Sequence, residues 1–212
     1  MSYAESPSGE NENERSKRLV VAVTGASGSL LGLRLLQMMH GVAGWETHVV
    51  LSPAAMLTAQ QELGVGRDAF QSLATRVYLH KDIGAAIASG SWRTDGMVVV
   101  PCSMNTLSAI AHGSSDNLIT RAADVVLKER RRLVLVPREA PLNLIQLRNM
   151  VAVTEAGGVI FPPVPAFYLG LEQLDDAATQ MVGRILDQFG IHLPAVQRWS
   201  GIRSSSDSVP SK

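Results

Sequence analysis

The sequence holds little that would cross-link the chain, anchor it or give it a strong overall charge. Its single cysteine, Cys102, cannot form an internal disulfide, which predicts a reducing, cytoplasmic setting. Nineteen basic residues balance nineteen acidic ones, so no net charge favours nucleic acid or an anionic membrane as a partner. The sequence contains no run of about 18 apolar residues. Its five histidines are scattered without zinc-ligand spacing. These absences predict a protein with no membrane span and no metal.

Both ends of the chain are polar, whereas the interior is long and apolar enough for one domain. Residues 1–17 are rich in Ser, Gly, Asn and Glu, which predicts a disordered N-terminal tail and no signal or transit peptide. Residues 200–212 predict a flexible C-terminal tail. Since 46% of the 212 residues are apolar, we expect residues 18–199 to form one domain with a sizeable core.

Short Val- and Leu-rich runs alternate along the chain with longer stretches of helical periodicity. Runs that are continuously apolar are typical of parallel strands that are covered by helices on both faces. The pattern therefore predicts a doubly wound α/β fold. The predicted strands are 19–24, 47–51, 76–79, 97–101, 133–137 and 158–162, and the predicted helices are 28–42, 53–64, 103–112, 117–130, 143–157 and 172–190. Residues 82–96 are predicted as a Gly/Ser loop.

Two adjacent opposite charges, Arg138 and Glu139, follow the apolar run LVLVP directly. Ligands of open α/β sheets bind outside the carboxyl ends of the strands, so this pair is expected to face a ligand. Pro137 and Pro141 would fix the backbone that orients the two side chains. A purely structural ion pair would produce the same pattern, and both interpretations stay open at this point.

Two strand-to-helix turns carry small and polar residues at the same predicted edge of the sheet. They are Gly25–Gly28 in TGASGSLLG and Ser103–Thr106 in PCSMNT. Helix amino termini offer free N–H groups, so the two turns together suit a phosphate and the polar edge of a ring system. Ordinary helix capping explains these residues equally well. The spacing is not GxGxxG, and the second strand ends at Ser52 rather than at an acidic residue, which disfavours dinucleotide binding.

Three further residues carry charges of possible use in chemistry. Arg121 and Lys128 are two turns apart on one predicted helix, so both are expected to project from one face and to converge on one anion. A solvated basic face is the alternative. Glu62 lies in a helix-like segment, where a surface carboxylate would be the default. Cys102 is predicted to be a small buried residue and not a nucleophile, because no base is near it in the sequence.

Four segments together resemble the UbiX family of flavin prenyltransferases, including the small B subunits encoded beside phenolic-acid decarboxylases. They are TGASG, PCSMNTLSA, NLITRAADVVLKERRRLVLVPREAP and FPPVPAFY, and the resemblance runs from about residue 18 to 199. It implies a Rossmann-like three-layer flavoprotein fold with a mostly parallel sheet, assembled as a homododecamer with sites at subunit interfaces. It also implies metal-independent transfer of a dimethylallyl group from dimethylallyl phosphate to N5 and C6 of reduced FMN. The product, prenylated FMN, would serve a UbiD-type decarboxylase.

The resemblance assigns roles to individual positions. The residues that match FMN-contacting positions are Gly25, Ala26, Ser27, Ser52, Ser103, Met104, Asn105, Thr106 and Arg138. Those that match the surroundings of dimethylallyl phosphate are Lys128, Arg138, Glu139, Tyr168 and Arg184, with Arg121 close by. Ser27, Glu62 and Glu139 match residues implicated in proton movement, and Trp199 matches an aromatic residue near the prenyl group. Many relatives have Lys at the position of Pro53 and His at the position of Gln146. These departures concern the fine tuning of the activity and not the reaction itself.

Three other functions share parts of this pattern. A flavin-dependent decarboxylase of the cysteine-decarboxylase superfamily has the same fold, but uses a catalytic His and a PASANT-like turn where this chain has PCSMNT. A non-catalytic FMN-binding or regulatory subunit of a decarboxylase complex would look similar, although the complete charged set argues against it. The chain itself could also be a phenolic-acid decarboxylase. The sequence leaves open whether the donor is the monophosphate or the diphosphate, and which decarboxylase is served.

Overall fold

Six apolar segments form one sheet in the computed structural model, which describes residues 15–201. The strands are β1 (Lys17–Val23), β2 (Trp45–Leu51), β3 (Arg76–Tyr78), β4 (Gly96–Cys102), β5 (Leu133–Pro137) and β6 (Val159–Ile160). Their order is β3-β2-β1-β4-β5-β6, and every neighbouring pair is parallel. The predicted Rossmann-like α/β fold is confirmed, with a sheet that is wholly parallel across the described residues.

Seven α-helices connect and cover these strands within residues 15–201. They are α1 (Ser29–Met39), α2 (Pro53–Leu63), α3 (Arg67–Gln71), α4 (Met104–Ala111), α5 (Leu118–Lys128), α6 (Leu144–Glu155) and α7 (Leu174–Asp187), with short 3-10 turns at Ala86–Ala88 and Phe167–Leu169. All six predicted helices are present. Helix α3 was not predicted, because five residues are too few to show a helical period. The segment predicted as an irregular loop, 82–96, contains the first 3-10 turn.

Alternate strand residues build two separate cores, one on each face of the sheet. Val21 and Val98 point to the face covered by α1, α2, α3 and α7. Their neighbours Val20 and Val99 point to the opposite face, which is covered by α4, α5 and α6. All four valines are fully buried, and each contributes about 1.5–3 kcal/mol through removal from water. This two-sided burial explains why the strands are continuously apolar in the sequence.

The strand order reverses between β1 and β4, and this reversal places the candidate site. The chain leaves β1 toward one face of the sheet and leaves β4 toward the other, so a crevice opens between their carboxyl ends. The turns Gly25–Gly28 and Ser103–Thr106 both lie at this crevice. The sheet topology therefore brings together two segments that are almost 80 residues apart in the chain.

The ends of the described region differ slightly from the predicted boundaries. Strand β1 begins at Lys17, which was placed in the N-terminal tail, and Arg15 pairs with Asp95 at 2.9 Å. Strand β6 has only two residues instead of the predicted five, because Pro162 and the next residue, also a proline, cannot donate ladder hydrogen bonds. Most of both predicted tails, residues 1–14 and 202–212, lies outside the described residues. Within 15–201, no helix is long and apolar enough to cross a membrane.

Candidate active site

The turn after β1 uses two glycines for two different reasons. A Cβ at Gly25 would overlap the Cβ of Ala54, so only glycine allows this turn to pack against the start of α2. Gly28 has a φ of 108°, a left-handed conformation that side chains disfavour. Between them, Ala26 is buried and Ser27 is partly exposed. The turn therefore presents Ser27 at the edge of the sheet on a backbone that is fixed from both sides.

A buried hydroxyl joins the turn after β1 to the turn after β4. The backbone N–H of Ser103 donates to Oγ1 of Thr24 at 2.8 Å, and this hydroxyl donates to the carbonyl of Pro101 at 2.8 Å. Thr24 is 2% exposed, so water cannot replace these bonds. The two turns are thus held as one unit. Sequence reasoning assigned no role to Thr24, although it ends the first predicted strand and begins the segment TGASG.

Two serines of the candidate site serve as helix N-caps. Oγ of Ser52 accepts from the backbone N–H of Ala55 at 3.0 Å at the start of α2. Oγ of Ser103 accepts from the backbone N–H of Thr106 at 3.2 Å and lies 3.0 Å from its hydroxyl. The capping interpretation given for the Ser103–Thr106 turn is therefore correct for Ser103. It does not exclude ligand binding, because the earlier N–H groups of each first turn have no partner within the helix.

Glu62 reaches from α2 to the amino terminus of α1. Its carboxylate accepts the backbone N–H of Gly28 at 3.1 Å and that of Ser29 at 2.8 Å. Burial by itself raises the pKa of Glu62, but hydrogen bonds from the Ser27 hydroxyl and from these N–H groups outweigh it and keep the pKa below its usual value of 4.5. Glu62 is therefore a carboxylate at neutral pH, and the fold pairs it with Ser27.

Arg138 and Glu139 stand beside the turn after β4. Pro137 lies opposite Cys102 in the β4–β5 pair, so Arg138 follows one strand where Ser103 follows its neighbour. Both charged side chains are exposed, and neither forms an ion pair within residues 15–201. The Glu139 carboxylate accepts the backbone N–H of the next residue at 3.1 Å. Among the described residues the pair is thus not a structural ion pair, and both side chains are exposed at the crevice.

A second group of predicted residues meets beside α7. Tyr168 and Arg184 line a cleft of about 190 Å³ together with Phe161 and Gln180. The rings of Tyr168 and Trp199 contact each other edge to face, with centroids 5.0 Å apart and planes at 72°. Tyr168 is 58% exposed and Trp199 is 59% exposed. Residues from two distant parts of the chain therefore form one aromatic corner that remains open to solvent.

Lys128 and Arg121 each pair with a different carboxylate. Helix α5 begins near the carboxyl edge of the sheet, where the backbone N–H of Leu118 donates to the carbonyl of His80, two residues after β3. The helix ends at the amino edge of the sheet. The seven residues between the two cations separate them by about 10 Å along the helix. Arg121 pairs with Asp124 at 2.7 Å, whereas Lys128 pairs with Glu129. The convergence of both cations on one anion stays a prediction.

The described residues offer neither a metal site nor a reactive thiol. Within residues 15–201, no three His, Cys, Asp or Glu side chains are grouped so that they could hold a metal ion. Cys102 is fully buried, and burial raises the pKa of its thiol far above the neutral range. The prediction that Cys102 is a buried residue of the core is confirmed. The groups that the described residues offer at the site are hydroxyls, carboxylates and cations.

Comparison with known proteins supports a flavin-binding enzyme. The Flavoprotein family model matches residues 7–189. The flavin prenyltransferase UbiX of Escherichia coli (strain K12) is 52% identical over 187 residues, which are 87% of this chain and 99% of that protein. The crystal structure of AnUbiX in complex with FMN and dimethylallyl pyrophosphate superposes with a TM-score of 0.87 at 50% identity. That match covers 89% of this chain and 100% of AnUbiX.

Two further structures bear on assembly and on the alternative functions. A dodecameric FMN-dependent UbiX-like decarboxylase from Escherichia coli O157:H7 gives a TM-score of 0.85 at 48% identity, over 87% of this chain and 100% of that one. An FMN-dependent cysteine decarboxylase from thioviridamide biosynthesis gives a TM-score of 0.59 at 20% identity, over 82% and 99%. The second likeness shows a shared fold and nothing more.

Proposed function

Because the chain belongs to the UbiX family of flavin prenyltransferases, we propose that it transfers the dimethylallyl group of dimethylallyl phosphate to reduced FMN. The observation that carries this proposal is the crevice between β1 and β4, where the Ser27–Glu62 pair, the Ser103–Thr106 turn and Arg138 lie together. The product would be prenylated FMN, supplied to a UbiD-type decarboxylase. A reducing, cytoplasmic setting remains part of the proposal.

The two turns at the crevice fit FMN as the acceptor. N–H groups at the start of α4, the polar side chains of Ser103–Thr106 and the Arg138 guanidinium offer donors to phosphate and to the carbonyl edge of the ring. Small residues at Gly25 and Ala26 leave the backbone accessible to a flat ring system. When bound, reduced flavin supplies electron-rich N5 and C6 positions. Ser52, which follows β2 and caps α2, lies at the same edge of the sheet.

The charged residues suit the departure of phosphate without a metal. Breaking the bond between the allylic carbon and oxygen leaves an electron pair on phosphate, and Arg138, Arg184 and Lys128 supply the positive charge that stabilises it. Within residues 15–201, Glu139 forms no ion pair, and its exposed carboxyl group stands beside Arg138 at the crevice. We therefore assign Glu139 as the acid that protonates the leaving oxygen.

The aromatic corner and the Ser27–Glu62 pair complete the proposed chemistry. Tyr168 and Trp199 offer ring faces that stabilise an allyl cation. Glu62 is ionised and hydrogen-bonded to Ser27, so through that hydroxyl it can carry protons that the flavin would lose at N5 and C6. One of these two protons would go to the leaving phosphate, and the other to the double bond of the dimethylallyl group, which opens as the bond to C6 forms. The proposed acid thus lies in the loop after β5, whereas the proposed base lies in α2.

We propose a homo-oligomer of this chain, with the dodecamer of the E. coli relative as its expected size. The proposal is supported by the exposure of Tyr168 and Trp199 and by the position of Lys128 at the opposite edge of the sheet from Glu139. A neighbouring copy would bring such residues to one phosphate. Light scattering measures the assembly directly.

The test of the function is anaerobic incubation of the protein with reduced FMN and dimethylallyl phosphate, followed by mass spectrometry of the flavin. We expect a flavin heavier by one five-carbon unit, and a parallel reaction with the diphosphate identifies the donor. Unmodified flavin that stays bound would instead indicate a non-catalytic FMN carrier. Release of carbon dioxide from a phenolic acid by the chain alone would indicate a decarboxylase.

A further inference from the structure

We propose that Gly183 in helix α7 positions the Trp199 ring for prenyl transfer, because it lets residues 191–199 pack directly on that helix. We call residues 191–199, together with the three α7 residues that hold them, the C-terminal clasp. The three holding residues are Gln180, Gly183 and Asp187. The inference rests on the proposed function, and it deepens that function by naming a residue on which the aromatic corner depends.

The three holding residues lie on one face of α7. Gln180, Gly183 and Asp187 are separated by three and four positions within this helix. Residues three, four and seven apart project from the same side of a helix, so they form a stripe about 10 Å long. Arg184, which we assign to the phosphate, lies one turn after Gln180 at the edge of this stripe. One side of the helix therefore carries both the clasp and a cation of the proposed site.

Gly183 allows the chain to approach α7 more closely than a larger residue would. A Cβ at this position would lie 2.0 Å from Cγ2 of Val196 and 3.0 Å from its Cβ. Both residues are buried, and Val196 is only 5% exposed. Glycine inside a helix costs about 1 kcal/mol relative to alanine, so helix formation does not explain its presence here. Glycine instead provides the space that the Val196 side chain fills.

Gln180 holds the backbone on both sides of Val196. Its Nε2 group donates to the carbonyl of Ala195 at 3.0 Å, and its Oε1 atom accepts the backbone N–H of Gln197 at 2.8 Å. One amide side chain thereby satisfies an acceptor and a donor that are two residues apart. A shift of the segment by one residue would break both bonds, so Gln180 fixes which side chain enters the space over Gly183.

Asp187 holds the clasp at the other end of the stripe. Its carboxylate is 8% exposed and accepts a hydrogen bond from Nη2 of Arg198 at 2.7 Å. The same carboxylate lies 2.7 Å from Nδ1 of His192. Each of the four residues before Trp199 thus contacts α7, two through the backbone, one through an apolar side chain and one through its guanidinium.

The clasp determines where the Trp199 ring can lie. The ring is 59% exposed, so packing within a core does not fix it. It contacts the ring of Tyr168, with centroids 5.0 Å apart, and Tyr168 lines the cleft beside α7. Because the backbone is held up to the preceding residue, a displacement of the segment from α7 would move Trp199 away from this cleft. The aromatic corner therefore depends on the contact between Gly183 and Val196.

Gly183→Ala tests this role directly, because the added Cβ would push residues 195–197 away from α7. Hydrogen–deuterium exchange read by mass spectrometry should show the amides of residues 195–199 exchanging about tenfold faster than in the native protein. Single-turnover mass spectrometry of the flavin should show prenyl transfer that is about 10- to 100-fold slower, the scale of a misplaced group. The affinities for FMN and for dimethylallyl phosphate should stay unchanged, since their proposed ligands are not altered.

Two further variants separate this contact from a general loss of structure. Val196→Ala removes both Cγ atoms that the added Cβ would meet, so the double variant Gly183→Ala/Val196→Ala should regain most of the transfer rate and of the amide protection. Gly84→Ala, whose Cβ would meet only Oδ1 of Asp82 at an ordinary 3.7 Å, should behave as the native protein. A double variant as slow as Gly183→Ala would overturn the proposal.

A double-mutant cycle with Trp199→Ala shows whether the effect passes through the tryptophan. If Gly183 acts through Trp199, Gly183→Ala should slow transfer strongly in the native chain and hardly at all in the Trp199→Ala background. A residue that served only the stability of the fold would give the same loss in both backgrounds. Equal losses would therefore overturn the inference.

Gln180→Met keeps the length of the side chain and loses both hydrogen bonds, so it should show the same faster exchange and slower transfer. This variant tests the clasp without the added Cβ, even if Gly183→Ala does not fold. A native protein that forms no prenylated FMN would refute the proposed function, and amide exchange would then decide the inference alone. Faster exchange of residues 195–199 in both variants would support the clasp, and native exchange would overturn it.

Discussion

Thr24 and Ser103 are joined by a hydrogen bond of 2.8 Å, from the backbone N–H of Ser103 to the hydroxyl of Thr24. The two residues stand at the start of the turns on either side of the topological switch point, so this bond fixes the width of the crevice between β1 and β4. Thr24 carries no charge, and the segment TGASG, which it begins, gave no role to it. Its importance follows from its position between two turns that carry the proposed FMN contacts.

Replacing Thr24 by valine should destabilise the protein and weaken FMN binding. Valine keeps the shape but leaves the Ser103 N–H without its partner, at a cost of about 1–3 kcal/mol, whereas the Pro101 carbonyl keeps the backbone N–H of residue 24 at 3.2 Å. Urea unfolding measures the loss of stability, and flavin fluorescence titration should show about tenfold weaker binding. Thr154→Val is the control, since that exposed hydroxyl bonds only to its own helix at Met150. Equal FMN affinity in the Thr24 variant would mean that the crevice does not depend on this bond.

Glu62→Gln should slow product formation by two or more powers of ten, the scale of a lost general base. An amide oxygen still accepts the N–H groups of Gly28 and Ser29, so the variant should fold and bind FMN normally. Because the pKa of native Glu62 lies below 4.5, protonation of this residue should not lower the rate between pH 7 and pH 5. Single-turnover mass spectrometry of the flavin gives both results. A fast variant would remove Glu62 from the proton path.

Glu139→Gln should leave FMN binding intact and slow prenyl transfer by two or more powers of ten, because the leaving phosphate loses its acid. The exposed Glu155→Gln in α6 is a suitable control. Flavin fluorescence measures binding, and quenched-flow mass spectrometry measures transfer. Normal turnover in the Glu139 variant would move the acid role to another residue.

Activity should persist in excess chelator, because we assign phosphate stabilisation to Arg138, Arg184 and Lys128. The measurement compares initial rates with and without chelator at saturating dimethylallyl phosphate. We expect rates that agree within about twofold, well short of the factor that loss of an essential metal produces. Activity that disappeared and returned with added magnesium would contradict this assignment.

Asp187→Asn should loosen the segment that carries Trp199. The carboxylate of Asp187 accepts hydrogen bonds from Arg198 and lies 2.7 Å from both Arg184 and His192. Hydrogen bonding from Arg198 is the main reason that the pKa of Asp187 falls to about 2. We expect the variant to melt about 2–4 °C lower at pH 7, while Glu172→Gln should melt normally.

The pH dependence of that difference follows from the lowered pKa of Asp187. A depressed folded-state pKa contributes stability that is fully present above the unfolded value of 3.8 and is lost as the pH falls toward about 2. The difference in melting temperature between the native protein and Asp187→Asn should thus be constant from pH 7 to about pH 4 and vanish below. Scanning calorimetry across this range measures it, and a difference that persisted at pH 2 would contradict the ion-pair origin.

Much of the fold was predictable, because burial leaves a local record in the sequence. The continuously apolar runs that became β1, β4 and β5 indicated strands covered on both faces, and the Ser52 and Ser103 positions marked the starts of helices. Helix α3 escaped prediction because its five residues show no period. The family signature likewise lies in contiguous segments, so the resemblance could be identified before the fold was known.

The sequence by itself determined the fold class, the order of the elements and the candidate residues, since each depends on neighbours in the chain. Only the tertiary structure decided which of these residues meet. It paired Glu62 with Ser27 and Thr24 with Ser103, and it placed Lys128 at the edge of the sheet opposite Glu139. The physical reason is that strand order and crossover direction fix the contacts between distant segments. The periodicity of a single helix or strand predicts neither of them.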